Sequence, residues 1–363
     1  MPLSAVDAIS PAFQHAERQL LRPFRFGQWV RLAFVGLLAG ESASFGGCNF
    51  NYPSGSQGHH RGEAFLAAQW PQLSGHWGMI AGLIAAAGLA VIVLVVIFTY
   101  IASVMRFVLF DSIVTRECRV RESWSRRKHD GFQLFKWQIW FALAMFAAII
   151  VLFGLPALYA WRRGWFEEPN AHLVGLISAG VGLFLIFLLL VLFAALAQVM
   201  TKDFVVPQMA TEHIDAFEGW RRFLRQLNGE KGGYAGYIGM KIVLTIGAAI
   251  ALGITTIFAV IILLIPFGGV GAAAVFAGRA MGLTWNLPTI VAAVIYCCFA
   301  LAVLIFVVLL ISVPIVVFFP AYSIYFFAPR FPPLAALLWP APPNDPGPTA
   351  PPAVMPPTPE PIG

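Results

Sequence analysis

The stretch AHLVGLISAGVGLFLIFLLLVLFAALAQVM, residues 171–200, decides the fold class. It contains no Asp, Glu, Lys or Arg. A helix rises about 1.5 Å per residue, so roughly 20 apolar residues cross a hydrocarbon layer about 30 Å thick. Uncharged stretches of similar quality lie at 77–105, 137–161, 242–267 and 288–312. The sequence therefore predicts an all-α, polytopic transmembrane helix bundle over residues 26–327.

The composition agrees with a membrane protein. Of 363 residues, 59% are hydrophobic and 11% are charged, whereas a soluble domain carries about 25% charge. The mean hydropathy is +0.79. These values exclude an ordinary soluble enzyme. A less regular stretch at 26–42 contains Arg31. We predict that it is the first of six spans, and a tilted or re-entrant helix is the alternative.

The basic residues predict the orientation. With six spans and an inside N-terminus, 19 of the 23 Lys and Arg residues lie on one side. Cytoplasmic segments carry such an excess, so both termini are expected in the cytoplasm and the protein in the cell membrane. The net charge of +6 is then explained by topology, and no nucleic-acid partner is expected.

An internal repeat divides the chain into three units. Residues 122–126 match 218–222 at an offset of 96, and Phe107 matches Phe204 at an offset of 97. A fainter copy begins near Ala12. We predict three transmembrane hairpins, each preceded by a basic amphipathic helix, the first of which occupies residues 1–25.

The amphipathic helices are expected to lie at the inner leaflet. In the third unit an apolar stripe at helical spacing comprises Ile214, Phe217, Trp220, Leu224 and Leu227, and the arginines fall off that stripe. Such helices can place cations among anionic lipid headgroups; alternatively, they simply cap the inner face of the bundle. The predicted headgroup contacts are Arg18, Arg22, Arg25, Arg126, Arg127, Arg221, Arg222 and Arg225.

The C-terminal segment has a different composition. Residues 328–363 include 14 prolines, which remove backbone donors and favour extended polyproline structure. We predict a disordered, Pro-rich cytoplasmic tail that can bind a soluble protein partner. Pro314 and Pro320 are expected to bend or end the sixth helix.

Few residues suggest chemistry. His59 and His60 lie in the first outer loop with Cys48, Glu63 and His76, but their spacing does not support a metal site. We therefore predict no metal, no cofactor and no enzymatic activity. The five strong spans contain no Asp, Glu, Lys or Arg, which disfavours an ion-coupled pump. Gly78 and Gly82 are expected to allow close helix packing.

The third unit resembles a known group. The carrying residues are Phe204, Val205, Val206, Pro207, Glu212, Ala216, Phe217, Arg221, Arg222 and Leu224. They resemble uncharacterised bacterial membrane proteins similar to the membrane domain of glycerophosphoryl diester phosphodiesterases. The resemblance implies a helical membrane fold in the bacterial inner membrane. No soluble segment is long enough for a barrel of about 250 residues, so phosphodiesterase activity is not implied.

Two functions agree with these features. The first is a non-enzymatic scaffold or accessory protein that contacts inner-leaflet lipids and a soluble partner. The second is a permease or flippase for an apolar or amphipathic solute, since uncharged walls suit such a substrate better than an ion. The substrate and the oligomeric state stay open.

Overall fold

The computed structural model describes residues 4–41, 77–165, 173–282 and 286–339, and every regular element in these ranges is helical. Thr201–Val205 forms a π-helical link and Ala328–Arg330 a 3-10 turn. The α-helices are α1 (Ile9–Leu21), α2 (Phe26–Leu38), α3 (Trp77–Thr115), α4 (Val120–Arg162), α5 (Leu173–Met200), α6 (Val206–Glu212), α7 (Ala216–Gly229), α8 (Lys231–Ala280), α9 (Leu287–Phe327) and α10 (Pro332–Leu338).

Five helices are long and apolar enough to cross a membrane: α3, α4, α5, α8 and α9. They contain the five uncharged stretches identified in the sequence, except residues 171 and 172, which lie outside the described ranges. The sixth predicted span, 26–42, is not confirmed. Its helix α2 has 13 residues, or about 20 Å, too short for a hydrocarbon layer of about 30 Å.

Helix α2 packs beside the charged part of α3 that follows the apolar stretch. The Gln28 amide donates to the Arg116 carbonyl at 2.9 Å, and Arg106 Nε donates to the Ala39 carbonyl at 3.3 Å. The two ends of α2 thus lie alongside residues 106–116. The connecting residues 42–76 lie outside the described ranges.

The buried core lies at one end of the bundle, which we call the core end; the opposite end is the far end. Phe107, Phe204, Tyr237 and Phe326 are fully buried there. In four of the five long helices, no residue of the most apolar stretch is buried. Those stretches expose large apolar side chains, as expected for surfaces that face lipid.

Both ends of the described chain reach the core end. The Tyr322 hydroxyl donates to the Ala5 carbonyl at 3.0 Å, which joins α9 to the segment before α1. The predicted extended tail is corrected over its first residues, because α10 is helical and Leu334 is fully buried. Proline suits the first turn of a helix, where Pro332 and Pro333 stand. Residues 340–363 lie outside the described ranges.

Two further expectations about helix ends are corrected. Helix α9 continues through both Pro314 and Pro320, so neither proline ends it, and the fully buried Val313 and Val317 show that this part of the helix is tightly packed. The basic segment of the second unit is not a separate helix, since α4 runs unbroken from Val120 into its span. The threefold repeat stays a prediction.

Close helix contacts occur at glycines other than the predicted ones. A Cβ on Gly131 would lie 2.5 Å from Val104 Cγ2 and 2.9 Å from Val104 Cα, so α3 and α4 approach each other there. Gly36 meets Val316 similarly. A Cβ on Gly82 would meet nothing within 4 Å among the described residues. The surroundings of Gly78 lie outside the description.

Substituting Gly131 tests this contact. We expect Gly131→Ala to destabilise the protein by about 1–3 kcal/mol, because the added methyl overlaps the α3 backbone. Gly82→Ala, the matched control on an exposed helix face, should leave the melting temperature unchanged or slightly raised. The measurement is tryptophan fluorescence during heating in detergent. Equal melting temperatures for the two variants would contradict the close contact.

Candidate functional site at the core end

A cluster of charged side chains surrounds a cavity of about 40 Å³ where the apolar stretches end. Arg106 directly follows the stretch 77–105, and Lys241 directly precedes the stretch 242–267. The cluster therefore lies at one level, between the apolar part of the bundle and its buried core. Its charged members are Glu41, Arg106, Lys202, Asp203 and Lys241.

Both carboxylates of the cluster are paired with lysines. Lys202 Nζ lies 2.9 Å from Glu41 Oε1, which ties the end of α2 to the π-helical link. Lys241 pairs with Asp203, and the Tyr237 hydroxyl donates to Asp203 Oδ2 at 2.9 Å. These side chains are at most 19% exposed, so water screens the pairs only weakly.

Arg106 is the one basic side chain of the cluster that forms neither of these ion pairs. Its Nε donates to the Ala39 carbonyl, but its buried Nη1 has no hydrogen-bond partner among the described residues. With three basic and two acidic side chains, the cluster carries one excess positive charge. This site was not predicted from the sequence, where the three basic residues served only to indicate topology and the two carboxylates had no assigned role.

A second charged network lies deeper in the core end. Arg127 forms a bidentate pair with Asp111 (Nη2 to Oδ1 2.8 Å, Nε to Oδ2 3.1 Å), and its Nη1 donates to Asp130 and to the Ala210 carbonyl. His213 Nδ1 lies 3.1 Å from Asp130 Oδ2. The Arg127 side chain is 10% exposed, so its guanidinium is engaged inside the protein. We therefore remove Arg127 from the predicted lipid contacts.

Two neighbouring arginines test this network. We expect Arg127→Met to destabilise the protein by about 3–5 kcal/mol, because it leaves the buried Asp130 without its arginine and the buried Asp111 with only the half-exposed Arg126. Arg126 also contacts Asp111 but is 54% exposed, so Arg126→Met should cost less than about 1 kcal/mol. Chemical denaturation in mixed micelles measures both. A similar cost for the two variants would refute the buried network.

The other predicted lipid contacts lie at the surface. Arg18 and Arg25 are exposed, and Arg22, 75% exposed, pairs with Glu17 at 3.1 Å. On α7, Glu218 contacts all three arginines, Arg221, Arg222 and Arg225. The hydrogen bond from the Arg222 guanidinium outweighs the opposing effect of desolvation, so it lowers the pKa of Glu218.

The apolar faces of α1 and α7 turn only partly toward the core. Ala216, Gly219 and Phe223 are the buried residues of α7, whereas Phe217 and Leu224 of the predicted stripe are 63% and 47% exposed. Phe13 of α1 is likewise 63% exposed. Both helices thus present aromatic or aliphatic side chains beside exposed arginines.

A buried histidine of α1 was also missed by the sequence analysis. His15 Nε2 lies 3.0 Å from the Ile113 carbonyl and Nδ1 lies 3.2 Å from the Tyr325 hydroxyl. Because a carbonyl only accepts, Nε2 carries the proton and Nδ1 accepts from Tyr325. Burial and the nearby charge of Arg116 lower the pKa of His15, so this contact uses the neutral ring.

The far end contains a larger, mostly apolar groove between α8 and α9. It has a volume of about 600 Å³, and half of its lining residues are glycine or alanine; Tyr296 lies on one wall, and Arg279 and Thr289 are among its polar residues. The Tyr296 hydroxyl donates to the Phe267 carbonyl at 2.6 Å. The glycines and alanines create this space because their side chains are too small to fill the gap between the two helices.

The candidate metal ligands His59 and His60 lie outside the described residues. Within the described ranges, no three His, Cys, Asp or Glu side chains form a group suited to a metal ion.

Comparison with known proteins gives one match. Residues 3–337 match the model of a family described as "Family of unknown function (DUF7544)". Searches of curated proteins and of solved structures found no significant match. Nothing in these comparisons links the chain to glycerophosphoryl diester phosphodiesterases.

Proposed function

The chain belongs to this family of unknown function, and we propose that it is a non-enzymatic scaffold or accessory protein of the cytoplasmic membrane. It contacts anionic lipids of the inner leaflet through exposed arginines at the core end. It binds a soluble partner through its Pro-rich C-terminal segment.

The surface of α7 is the observation that carries the lipid contact. Phe217 and Leu224 are exposed two turns apart, and Arg221 and Arg225 beside them are 71% and 68% exposed. Apolar side chains that enter a membrane beside cations that meet headgroups are typical of interfacial helices.

The depth of α7 supports the same contact. Trp220 stacks on Trp137, with ring centroids 5.8 Å apart, and Trp137 is the first residue of the apolar stretch 137–161. Tryptophan is enriched at the membrane interface. Helix α7 therefore lies at the level where an apolar span begins, which is the depth of lipid headgroups.

The distribution of basic residues supports a cytoplasmic core end. Within the described ranges, the far end has three Lys or Arg residues, Arg162, Arg163 and Arg279, and the core end has the other 19. Cytoplasmic segments near spans carry such an excess. The inner leaflet is also the one that attracts basic segments through its anionic lipids.

Removing two arginines of α7 tests the lipid contact. We expect the double variant Arg221→Gln/Arg225→Gln to weaken the preference for phosphatidylglycerol over phosphatidylcholine. Each residue near the surface contributes about 1 kcal/mol, or roughly fivefold in affinity. Native mass spectrometry of protein in mixed micelles counts the bound lipids.

The far-end double variant Arg162→Gln/Arg163→Gln is the matched control. It removes the same charge from exposed side chains and should keep the preference of the unmodified chain. If the α7 variant and the control retain the same amount of phosphatidylglycerol, α7 is not the lipid contact.

The partner contact is assigned to residues 340–363, which include 11 prolines and suit the aromatic grooves that recognise polyproline segments. A truncation that tests it must end at Trp339, because α10 and Leu334 belong to the core. The full chain should retain a stoichiometric partner that the shortened chain loses. A partner retained by both would remove this half of the proposal.

The groove at the far end favours the alternative, a permease or flippase for an amphipathic solute. Its volume suits a ligand of drug size or part of a lipid. Ala274→Phe would fill it, whereas Ala273→Phe changes a neighbour that does not line it. Solute-dependent flux in proteoliposomes, lost in the first variant and kept in the second, would favour transport. Absence of flux in the unmodified chain would remove it.

A further inference from the structure

Among the described residues, the charged cluster at the core-end cavity has one cation more than it has carboxylates. Glu41 and Asp203 are bonded to the two lysines, and Arg106 has only the electrostatic attraction of Glu41, which it shares with Lys202. A partly buried cation without a counter-charge of its own is costly. Its unpartnered Nη1 is also a donor that lacks an acceptor. Both deficits are removed by an anion in the cavity.

The cavity has room for such an anion. One water needs about 10–15 Å³ of comparable space, and the cavity provides about 40 Å³. Lys202 and Lys241 line it together with Arg106, and Phe110 and Phe319 are among its apolar walls. Guanidinium and ammonium donors around a small, partly dry space suit a tetrahedral oxyanion with several acceptor oxygens.

The depth and the charge of the site indicate which oxyanion. The cluster lies where the apolar stretches 77–105 and 242–267 meet the core end, which is the depth of phospholipid phosphates. A phosphodiester carries one negative charge and matches the single excess positive charge. Free phosphate carries one or two negative charges near neutral pH, and its doubly charged form overcompensates it.

We propose that this cavity binds a phosphate-class oxyanion through Arg106, with Lys202 and Lys241 beside it, and that its natural occupant is the phosphodiester of an anionic lipid headgroup. The proposal goes beyond the surface contact at α7. It depends on different residues, and either can fail alone.

The experiment uses the full chain, delipidated in a maltoside detergent that contains no phosphate. The melting temperature is measured while phosphatidylglycerol or inorganic phosphate is added, because a ligand that binds the folded state raises it. Arg106→Gln is expected to weaken binding by at least about thirtyfold, since it removes a partly buried charged partner. Its own fold should hold, because it removes an unbalanced cation and leaves both lysine pairs intact.

Two further variants fix the interpretation. Glu41→Gln keeps a hydrogen-bond acceptor for Lys202 but removes one negative charge, so it should strengthen anion binding severalfold. Arg31→Gln, an exposed arginine of α2, is the matched control and should bind as the unmodified chain does. The α7 double variant should also keep the Arg106-dependent stabilisation, which separates this site from the surface contact.

Stabilisation by phosphatidylglycerol alone assigns the site to a lipid headgroup. Stabilisation by both additives, lost in Arg106→Gln, supports an oxyanion site whose occupant is free phosphate as well as lipid. No stabilisation by either, or equal stabilisation of Arg106→Gln and the unmodified chain, overturns the proposal.

Discussion

The structure depends on the aromatic packing around Phe204. Its ring stacks on Phe223 (centroids 5.2 Å apart, planes at 6°) and meets Tyr237 and Phe327 at 5.1 and 5.3 Å. These contacts join the π-helical link, α7, α8 and α9. The long apolar helices bury little against one another, and lipid offers no hydrophobic force to bring them together. The core end therefore sets their positions.

The charged side chains of the cavity lie at the boundary between this core and the apolar spans. An apolar span tolerates an ionisable side chain poorly, whereas the space between the core and the spans is shared by several helix ends. Asp203 and Lys241 are 38 residues apart and meet only because the packing around Phe204 aligns their helices. The ion pairs of Lys202 with Glu41 and of Lys241 with Asp203 hold the helix ends together. Arg106 is then the cation that can bind an anion.

The sequence predicted the five long helices because length and hydropathy are local properties. It could not predict that α2 stops short, since residues 26–42 differ from a span by only a few residues of apolar length. Contacts such as Lys202 with Glu41 join residues far apart in the chain, and one sequence contains no sign of them. The close contact predicted at Gly82 is not seen among the described residues, and the explanation is related: Gly131 and Gly82 look alike in the sequence until a partner helix is known.

The family match includes the regions proposed to bind lipid but not the segment proposed to bind a protein partner. It covers residues 3–337 and so ends within α10, one residue before the last residue of that helix. The bundle, the cavity at Arg106 and the surface of α7 all lie inside it, and the Pro-rich segment after Trp339 lies outside. A role of the charged cavity or of α7 is therefore a property that the matched region can carry by itself. Partner binding through residues 340–363 is an addition to it, and the two can vary independently.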